Sequence, residues 1–362
     1  MIVTKRITPI GAVLAGQYLL AFFSLSGVAS ADVGDDPLFN DDAIVEVRLA
    51  APLQTIMRER PNDEDTAAVL QYVDPDGNNV RLDVGLRTRG RFRRRPEICD
   101  FTPLRLNFKK SETAGTLFEN QDKLKLVTHC DSNSPQYDQF VLNEYLVYRT
   151  LNLLTDLGFR VRLLRVTYVD TARDGRENVR LGFLIEHRDR MSKRIGVPTL
   201  KTRMVTFPDL DPRYTNLASV FHYFIGNTDY SPVATAPGED CCHNHALFGR
   251  EGEPIYSVPY DFDMSGFVNA PHAAPNPRFG LRSVRQRLYR GRCVNNAYLP
   301  ASVGRFIEKR SEIYALINGQ ELLTKSSRKA LLKFVDRFYS SLDSPQKIDK
   351  KLTKKCVPKT TQ

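Results

Sequence analysis

The sequence predicts an α+β protein with a β-rich first part that contains one helix, followed by a largely helical second part. Short runs of aliphatic and β-branched residues separated by turn residues dominate up to residue 185. A helical period appears once within that stretch, over residues 138–154, and returns over residues 302–339. We therefore expect a mostly antiparallel sheet lobe over 32–185, a mainly helical lobe carrying the functional site over 186–345, and a Lys-rich tail over 346–362.

Residues 1–31 have the three parts of a signal peptide. Lys5 and Arg6 precede an uncharged apolar stretch from Ile7 to Leu25, and an A-x-A cleavage site ends at Ala31. A membrane anchor is the alternative, because the apolar stretch approaches the length of a bilayer span. We expect cleavage and export to the periplasm or the extracellular medium, with no stable membrane span afterwards.

The elements between residues 44 and 258 follow from local patterns. A hairpin is predicted where the turn residues 74–77 (Asp-Pro-Asp-Gly) separate two strand-like runs. A second pair of strands flanks the polar turn 170–178, and a helix precedes Gly226. The predicted strands are 44–47, 69–73, 80–86, 104–108, 124–127, 161–169, 181–185, 246–248 and 255–258. The connector 186–194 joins the two parts, and we expect a ligand-binding cleft there.

Charge and cysteine content limit the function classes. The chain has a formal net charge of +10, but its arginines are scattered apart from the run Arg87 to Arg95, and no nucleic-acid motif accompanies them. We therefore expect no nucleic-acid partner and interpret the charge mainly as a solvated basic surface. Six cysteines in an exported protein predict up to three disulfides.

Two of the cysteines, Cys241 and Cys242, are sequence neighbours. We expect each to bond a distant cysteine, because a disulfide between neighbours would strain the backbone. A zinc cluster with His243 and His245 is the alternative, although zinc ligands are usually spaced by two or more residues.

Three oxygen-bearing side chains stand at positions typical of phosphoryl transfer. Asp229 follows the helix that ends near Gly226, Asn244 precedes a short strand, and Asp261 follows the next strand. In such enzymes one Asp orients the attacking hydroxyl, while an Asn and another Asp hold the divalent metal on the nucleotide. Hard oxygen ligands favour Mg²⁺ or Mn²⁺. The spacing of Asp261 and Asp263 is also compatible with a metal motif of glycosyltransferases or with a calcium site.

These motifs, taken in order, resemble those of the CotH family, the spore-coat-protein-H-like secretory atypical kinases. The resemblance covers residues from about Arg87 to Cys293. Its most specific parts are Gly-Asn-Thr-Asp at 226–229 and Pro-Tyr-Asp-Phe-Asp at 259–263; the other segments are 87–90, 103–108, 123–127 and 143–146. It implies a protein-kinase-like two-lobed fold and transfer of the γ-phosphate of ATP to the hydroxyl groups of an exported protein, with Mg²⁺ or Mn²⁺.

The resemblance also implies a role for individual residues. Asp229 would be the catalytic Asp, and Asn244 and Asp261 would bind the metal, with Asp263 as the substitute if the register differs by two. Lys125 would contact the nucleotide phosphates.

Glu144 would hold Lys125 in place through an ion pair. Lys123 shares a strand face with Lys125, so the choice between them stays open. The loop around Gly90 would cover the phosphates, and the hinge ending at Glu186 would meet the adenine.

Two departures from the kinase pattern are visible. An insertion separates Asp229 from Asn244, and the loop around Gly90 carries arginines in place of a Gly-x-Gly-x-x-Gly motif. Two other functions stay open: a catalytically inactive binding or envelope protein, and a carbohydrate-active enzyme using Asp261 and Asp263. The absence of tryptophan argues mildly against the last.

Overall fold

The computed structural model describes residues 36–235 and 239–358. The predicted signal peptide lies outside these residues. Within the described ranges, no helix has both the length and the apolarity to cross a bilayer.

The predicted strands and helices occur along the chain largely where the sequence places them. The strands are β1 Val45–Ala51, β2 Thr66–Val73, β3 Asn79–Thr88, β4 Leu104–Phe108, β5 Lys123–Val127, β6 Val161–Asp170, β7 Arg176–Ile185, β8 Thr199–Leu200, β9 His245–Phe248 and β10 Tyr256–Pro259. The helices are α1 Leu53–Glu59, α2 Lys110–Thr113, α3 Tyr137–Leu154, α4 Arg188–Ile195, α5 Pro212–Ile225, α6 Leu299–Glu308, α7 Arg310–Gly319, α8 Lys325–Tyr339 and α9 Pro345–Lys351. The helical region predicted over 302–339 is thus three separate helices.

The first seven strands form a closed barrel in the order β1-β2-β3-β4-β5-β7-β6. Neighbouring strands are antiparallel except β1 and β6, which pair in parallel from Val45↔Leu164 to Ala51↔Asp170 and so close the barrel. The prediction of a protein-kinase-like two-lobed fold with an antiparallel sheet lobe is therefore wrong. Closure satisfies the backbone groups that an open sheet would leave unpaired at its two edges.

Alternating burial explains the barrel. Along β1 every second side chain is buried, and a core of leucine, valine and aromatic side chains fills the interior. The other faces of β6 and β7 pack against α3, which also contacts α7. Because α3 lies between the barrel and the C-terminal helices, it is buried on nearly all sides from Val141 to Tyr148. The buried side chains of this helix pack beneath the candidate functional site described below and support it.

A small second sheet in the order β10-β9-β8 lies in the chain region after the barrel. Its two longer strands pair antiparallel with the register Pro259↔His245. This register places the residues immediately before β9 opposite the residues immediately after β10, which is how Asn244 and Asp261 come together.

The C-terminal segment is fixed by a disulfide. Cys356, in the stretch that the sequence predicts as a Lys-rich tail, bonds Cys293. Val357 forms a parallel bridge with Arg292 next to this bond. Helix α9 occupies the first part of the same stretch.

Candidate functional site

A cavity of about 710 Å³ lies at the connector between the barrel and the following elements. Its wall combines apolar and aromatic side chains with five Arg and Lys side chains and three acidic ones: Arg105, Lys123, Lys125, Arg188 and Lys201, and Glu186, Asp189 and Asp240. A second cavity, of about 540 Å³, contains Lys201 but also Asp209, Glu251 and Glu253. Of these two cavities, the one at the connector has more basic than acidic side chains in its wall, and the other has more acidic than basic ones, so the connector cavity is the better site for a polyanion.

Helix α5 positions Asp229. Like Asn244 and Asp261, Asp229 is not part of the cavity lining, which includes the sequence neighbours of the other two, His245 and Tyr260. The helix begins at an N-cap, Asp211, whose carboxylate accepts the backbone N–H of Tyr214 at 2.7 Å. It ends at Gly226, whose φ is +64° and where a Cβ would lie 3.2 Å from Phe334 and from the carbonyl of Val284. Glycine is therefore required, and the chain turns sharply. Asn227 then fixes the turn, because its Oδ1 accepts the N–H of Asp229 at 2.9 Å.

Asp229, Asn244 and Asp261 converge in one place. The amide Nδ2 of Asn244 donates to the backbone oxygen of Asp229 at 2.7 Å and to its carboxylate Oδ2 at 3.0 Å. The backbone oxygen of Asn244 accepts the N–H of Tyr260 at 2.9 Å, so Asn244 adjoins Asp261. Three residues that are far apart in the sequence are thus brought close together, with Asp229 and Asn244 in direct contact and Asp261 next to Tyr260, which bonds Asn244.

Asn244 and Asp261 both have left-handed backbone conformations, with φ of +56° and +62°. Asparagine and aspartate tolerate this region better than other non-glycine residues, but it remains unusual for them. Such conformations concentrate at functional sites, where the surrounding structure holds them. The backbone N–H of Asp261 donates to the hydroxyl of the buried Tyr148 on α3 at 2.9 Å, which fixes the turn.

The sequence analysis missed two neighbours of this group. The Nε2 of His243 lies 2.9 Å from Asp229 Oδ1, and this hydrogen bond raises the pKa of His243. The Nη2 of Arg93 lies 3.2 Å from Asp261 Oδ1, while its Nε lies 3.0 Å from Asp263 Oδ2. The arginine run 87–95 was the available signal for Arg93. No sequence pattern marked His243 as a partner of Asp229.

Asp263 is buried and its carboxylate is already paired. Besides Arg93, it binds the Nε2 of His272 at 3.0 Å. Burial alone would raise the pKa of Asp263, but Arg93 and His272 outweigh that effect and lower it. Asp261 has a third of its side-chain surface exposed, whereas only 9% of Asp263 is exposed. Of the two acids, Asp261 is the one available to a ligand.

Glu144 and Lys125 do not form the expected ion pair. Glu144 is buried on α3 and accepts the backbone N–H of Phe262 at 3.3 Å. Burial raises its pKa to about 8; Arg93 opposes this shift, and Asp263 and Asp261 add to it. Its cationic neighbours are therefore arginines of the loop after β3. No ion pair joins Glu144 to Lys125, and Arg93 and Arg89 are the basic side chains whose charges most affect the Glu144 carboxyl.

Lys125 instead lies in the cavity wall with its Nζ 4.2 Å from the centre of the Tyr260 ring. Burial lowers its pKa to about 7, and the nearby Arg89 adds to this effect. Arg89 itself has two buried nitrogens, Nε and Nη2, without a hydrogen-bond partner among the described residues. Two basic groups, neither bonded to a counter-ion among the described residues, are therefore close enough to Asp261 for its charge to affect both.

Gly90 and Glu186 contribute less than the sequence analysis expects. Gly90 is exposed with a φ of +82°, and no atom lies near the position of its missing Cβ. Glu186 lines the cavity, but Arg194 binds its carboxylate at 2.8 Å. The backbone N–H of Glu186 donates to the oxygen of Arg160 at 2.9 Å and is also occupied.

All six cysteines are bonded. The pairs are Cys99–Cys130, Cys241–Cys242 and Cys293–Cys356. The predicted number of disulfides is confirmed, but the expectation that Cys241 and Cys242 bond distant partners is wrong. The bonded pair lines the cavity beside Lys201 and Tyr260. The alternative zinc cluster is not assembled, because His245 faces His222 with 3.0 Å between their Nε2 atoms.

The pair His222–His245 predicts loss of stability in acid. Burial lowers the pKa of His245 from 6.5 to about 3 and also lowers that of His222. Below pH 6.5 these histidines therefore bind protons in the unfolded chain but not in the folded chain. The free energy of unfolding decreases as the pH falls from 6.5 towards 3. We expect the urea midpoint of wild type to fall more steeply over this range than that of His245→Gln. The raised pKa of Glu144 has the opposite effect on stability, but this effect is the same in both proteins. Equal slopes for the two proteins would therefore contradict the prediction.

No family model matches the chain, and the search of curated proteins finds no match either.

Proposed function

We propose that this chain is an exported, ATP- and metal-dependent phosphotransferase that transfers the γ-phosphate to protein hydroxyl groups, as its resemblance to the CotH family implies. The proposal concerns the chemistry of the site and does not depend on the kinase-like fold, which the barrel excludes. The observation that carries it is the meeting of Asp229, Asn244 and Asp261 beside Lys125 and Arg89.

The donor set fits a hard divalent cation. Asn244 uses its Nδ2 on Asp229, which leaves its Oδ1 as a ligand with no hydrogen-bond partner among the described residues. Asp261 offers a partly exposed carboxylate whose Oδ1 binds Arg93 and whose Oδ2 has no hydrogen-bond partner among the described residues. Amide and carboxylate oxygens are the ligands that Mg²⁺ and Mn²⁺ prefer, and the bound metal would neutralise charge on the nucleotide phosphates.

The two cations beside Asp261 fit the phosphates themselves. The unpartnered Nε and Nη2 of Arg89 can donate two parallel hydrogen bonds to a phosphate, which is the geometry that a guanidinium favours. Lys125, whose pKa is about 7, would gain a counter-ion when a phosphate binds, and its charged form would be stabilised. Because these two basic groups lie together without a bonded counter-ion among the described residues, a polyanionic ligand would stabilise the charged forms of both.

The remaining wall of the cavity fits a flat base. Tyr260, Phe159, Leu200 and Leu247 line it together with the bonded pair of neighbouring cysteines. Its volume of about 710 Å³ falls in the usual range for small-ligand sites. Three disulfides are compatible with the oxidising compartment that the proposal requires.

The carbohydrate-active alternative loses support. It requires Asp261 and Asp263 to bind a metal jointly, but Asp263 is buried between Arg93 and His272. A metal there would have to displace two positive or hydrogen-bonding partners, and Asp263 would have to rotate out of its buried position.

The test is nucleotide binding by the purified chain, measured as a thermal shift with ATP alone and with ATP plus Mg²⁺ or Mn²⁺. We expect a shift that grows with the metal. Asp261→Asn should remove the metal-dependent part, and asparagine is chosen because it tolerates the positive φ of this position. Lys125→Met should weaken binding of ATP with or without metal.

Lys123→Met is the matched control, because Lys123 lines the same cavity from the same strand. It should weaken binding less than Lys125→Met, since Arg89 and Asp261 lie close enough to Lys125 to affect its pKa. Absence of any shift with ATP under both metals would refute the proposal. Binding without phosphate transfer to any protein would support the inactive binding protein instead.

A further inference from the structure

Cys99, Cys130 and His272 lie together, and Cys99 belongs to the arginine-containing loop between β3 and β4. Cys99 precedes β4, Cys130 follows β5, and His272 belongs to the loop after β10. The two sulfurs are bonded, and a ring nitrogen of His272 lies within 4.8 Å of them. Both cysteines are buried, with 1% and 3% of their surfaces exposed.

The imidazole of His272 is held in a way that suits a metal ligand. Its Nε2 bonds the carboxylate of Asp263 at 3.0 Å. Only 7% of the side chain is exposed, and its buried Nδ1 has no hydrogen-bond partner among the described residues. A carboxylate on one nitrogen of a histidine is the usual second contact of a metal-binding imidazole, because it fixes the ring and its tautomer. The ring of Tyr137 lies nearly parallel to the imidazole.

We propose that Cys99, Cys130 and His272 form a zinc site when the disulfide between the two cysteines is reduced. Two thiolates and one imidazole are ligands that favour zinc over Mg²⁺ or Mn²⁺. Three protein ligands leave a fourth position for water. The two negative charges of the thiolates balance the two positive charges of Zn²⁺, so the ligands and the metal together are neutral.

The chemistry requires a reductant. A dithiol or a phosphine supplies two electrons, the sulfur–sulfur bond breaks, and each sulfur takes up a proton. Zn²⁺ then displaces these two protons and binds both thiolates. In the oxidised chain the sulfurs are bonded to each other, so the site exists only after reduction. This site shares no ligand with the proposed phosphotransferase site and does not depend on its function, although Asp263 and Arg93 connect His272 to Asp261.

The experiment uses the full chain, reduced with a phosphine under argon until alkylation and mass spectrometry show Cys99 and Cys130 as free thiols. It is then dialysed against Zn²⁺ in excess Mg²⁺, which occupies hard oxygen ligands, and bound zinc is measured by mass spectrometry. We expect a single zinc per reduced chain and a thiolate-to-metal absorption band when Co²⁺ replaces zinc. His272→Gln and Cys130→Ser should each lose both signals.

The double variant Cys241→Ser/Cys242→Ser is the matched control, because it removes the other cysteine pair that has histidines close by. It should retain the zinc. Equal zinc in the reduced and oxidised chains, retention of zinc by His272→Gln and Cys130→Ser, or loss of zinc in the double variant alone would each overturn the proposal.

Discussion

Replacing Asp229 with asparagine is expected to lower phosphate transfer to protein by about 10²- to 10⁴-fold, the usual contribution of a positioned general base. The proposed role of Asp229 is to orient and deprotonate the acceptor hydroxyl, and an amide cannot accept that proton. Asparagine preserves the shape of the side chain, so the contact with Asn244 can persist. Incorporation of labelled phosphate, with nucleotide affinity measured in parallel, checks the result.

The control for this variant is Asp76→Asn, an exposed carboxylate in the hairpin turn between β2 and β3. It should transfer phosphate at the wild-type rate. An Asp229→Asn protein that binds ATP and still transfers phosphate at close to the wild-type rate would exclude Asp229 as the catalytic base.

Replacing Arg93 with methionine is expected to lower the free energy of unfolding by about 3–5 kcal/mol, the range for breaking a buried ion pair by removing one partner. Arg93 is buried and contacts both Asp261 and Asp263. Glu144 lies beside them, and without the guanidinium three acidic groups would share a site with little water. Methionine keeps most of the side-chain volume, so the change isolates the loss of charge. Urea denaturation measures it.

Arg95→Met is the matched control from the same loop. Arg95 is about half exposed and pairs with the exposed Glu97, and such surface pairs contribute roughly 0–1 kcal/mol. If the two variants had similar stabilities, Arg93 would not be the counter-ion that the acidic group depends on.

The strands of the barrel could be predicted, but their closure could not. Alternation along β1 and the turn at 74–77 are local signals, and the predicted strands are confirmed at these places. The parallel pairing of β1 with β6 joins residues such as Val45 and Leu164, which are far apart in the sequence. No local pattern encodes which distant strand completes a sheet. The sequence therefore predicts a sheet with two free edges, whereas β1 and β6 pair in the structure.

The site shows a similar division. Asp229, Asn244 and Asp261 could be selected because each is a short oxygen-bearing residue at the end of a helix or strand. The basic partner of Glu144 and Asp263 could not be predicted. It is Arg93, which lies in a loop whose path depends on the folded barrel. The bond between Cys241 and Cys242 was also missed, since general expectation about strain opposed it.

The central claim is that Asn244 and Asp261 share a divalent metal with a nucleotide whose phosphates lie beside Lys125 and Arg89. A crystal structure of the chain with Mn²⁺ and a non-hydrolysable ATP analogue, using the anomalous signal of manganese, tests it most directly. We expect a manganese peak in contact with the Asn244 and Asp261 oxygens, with the base in the cavity at the connector. A nucleotide bound elsewhere, or manganese that avoids both residues, would contradict it.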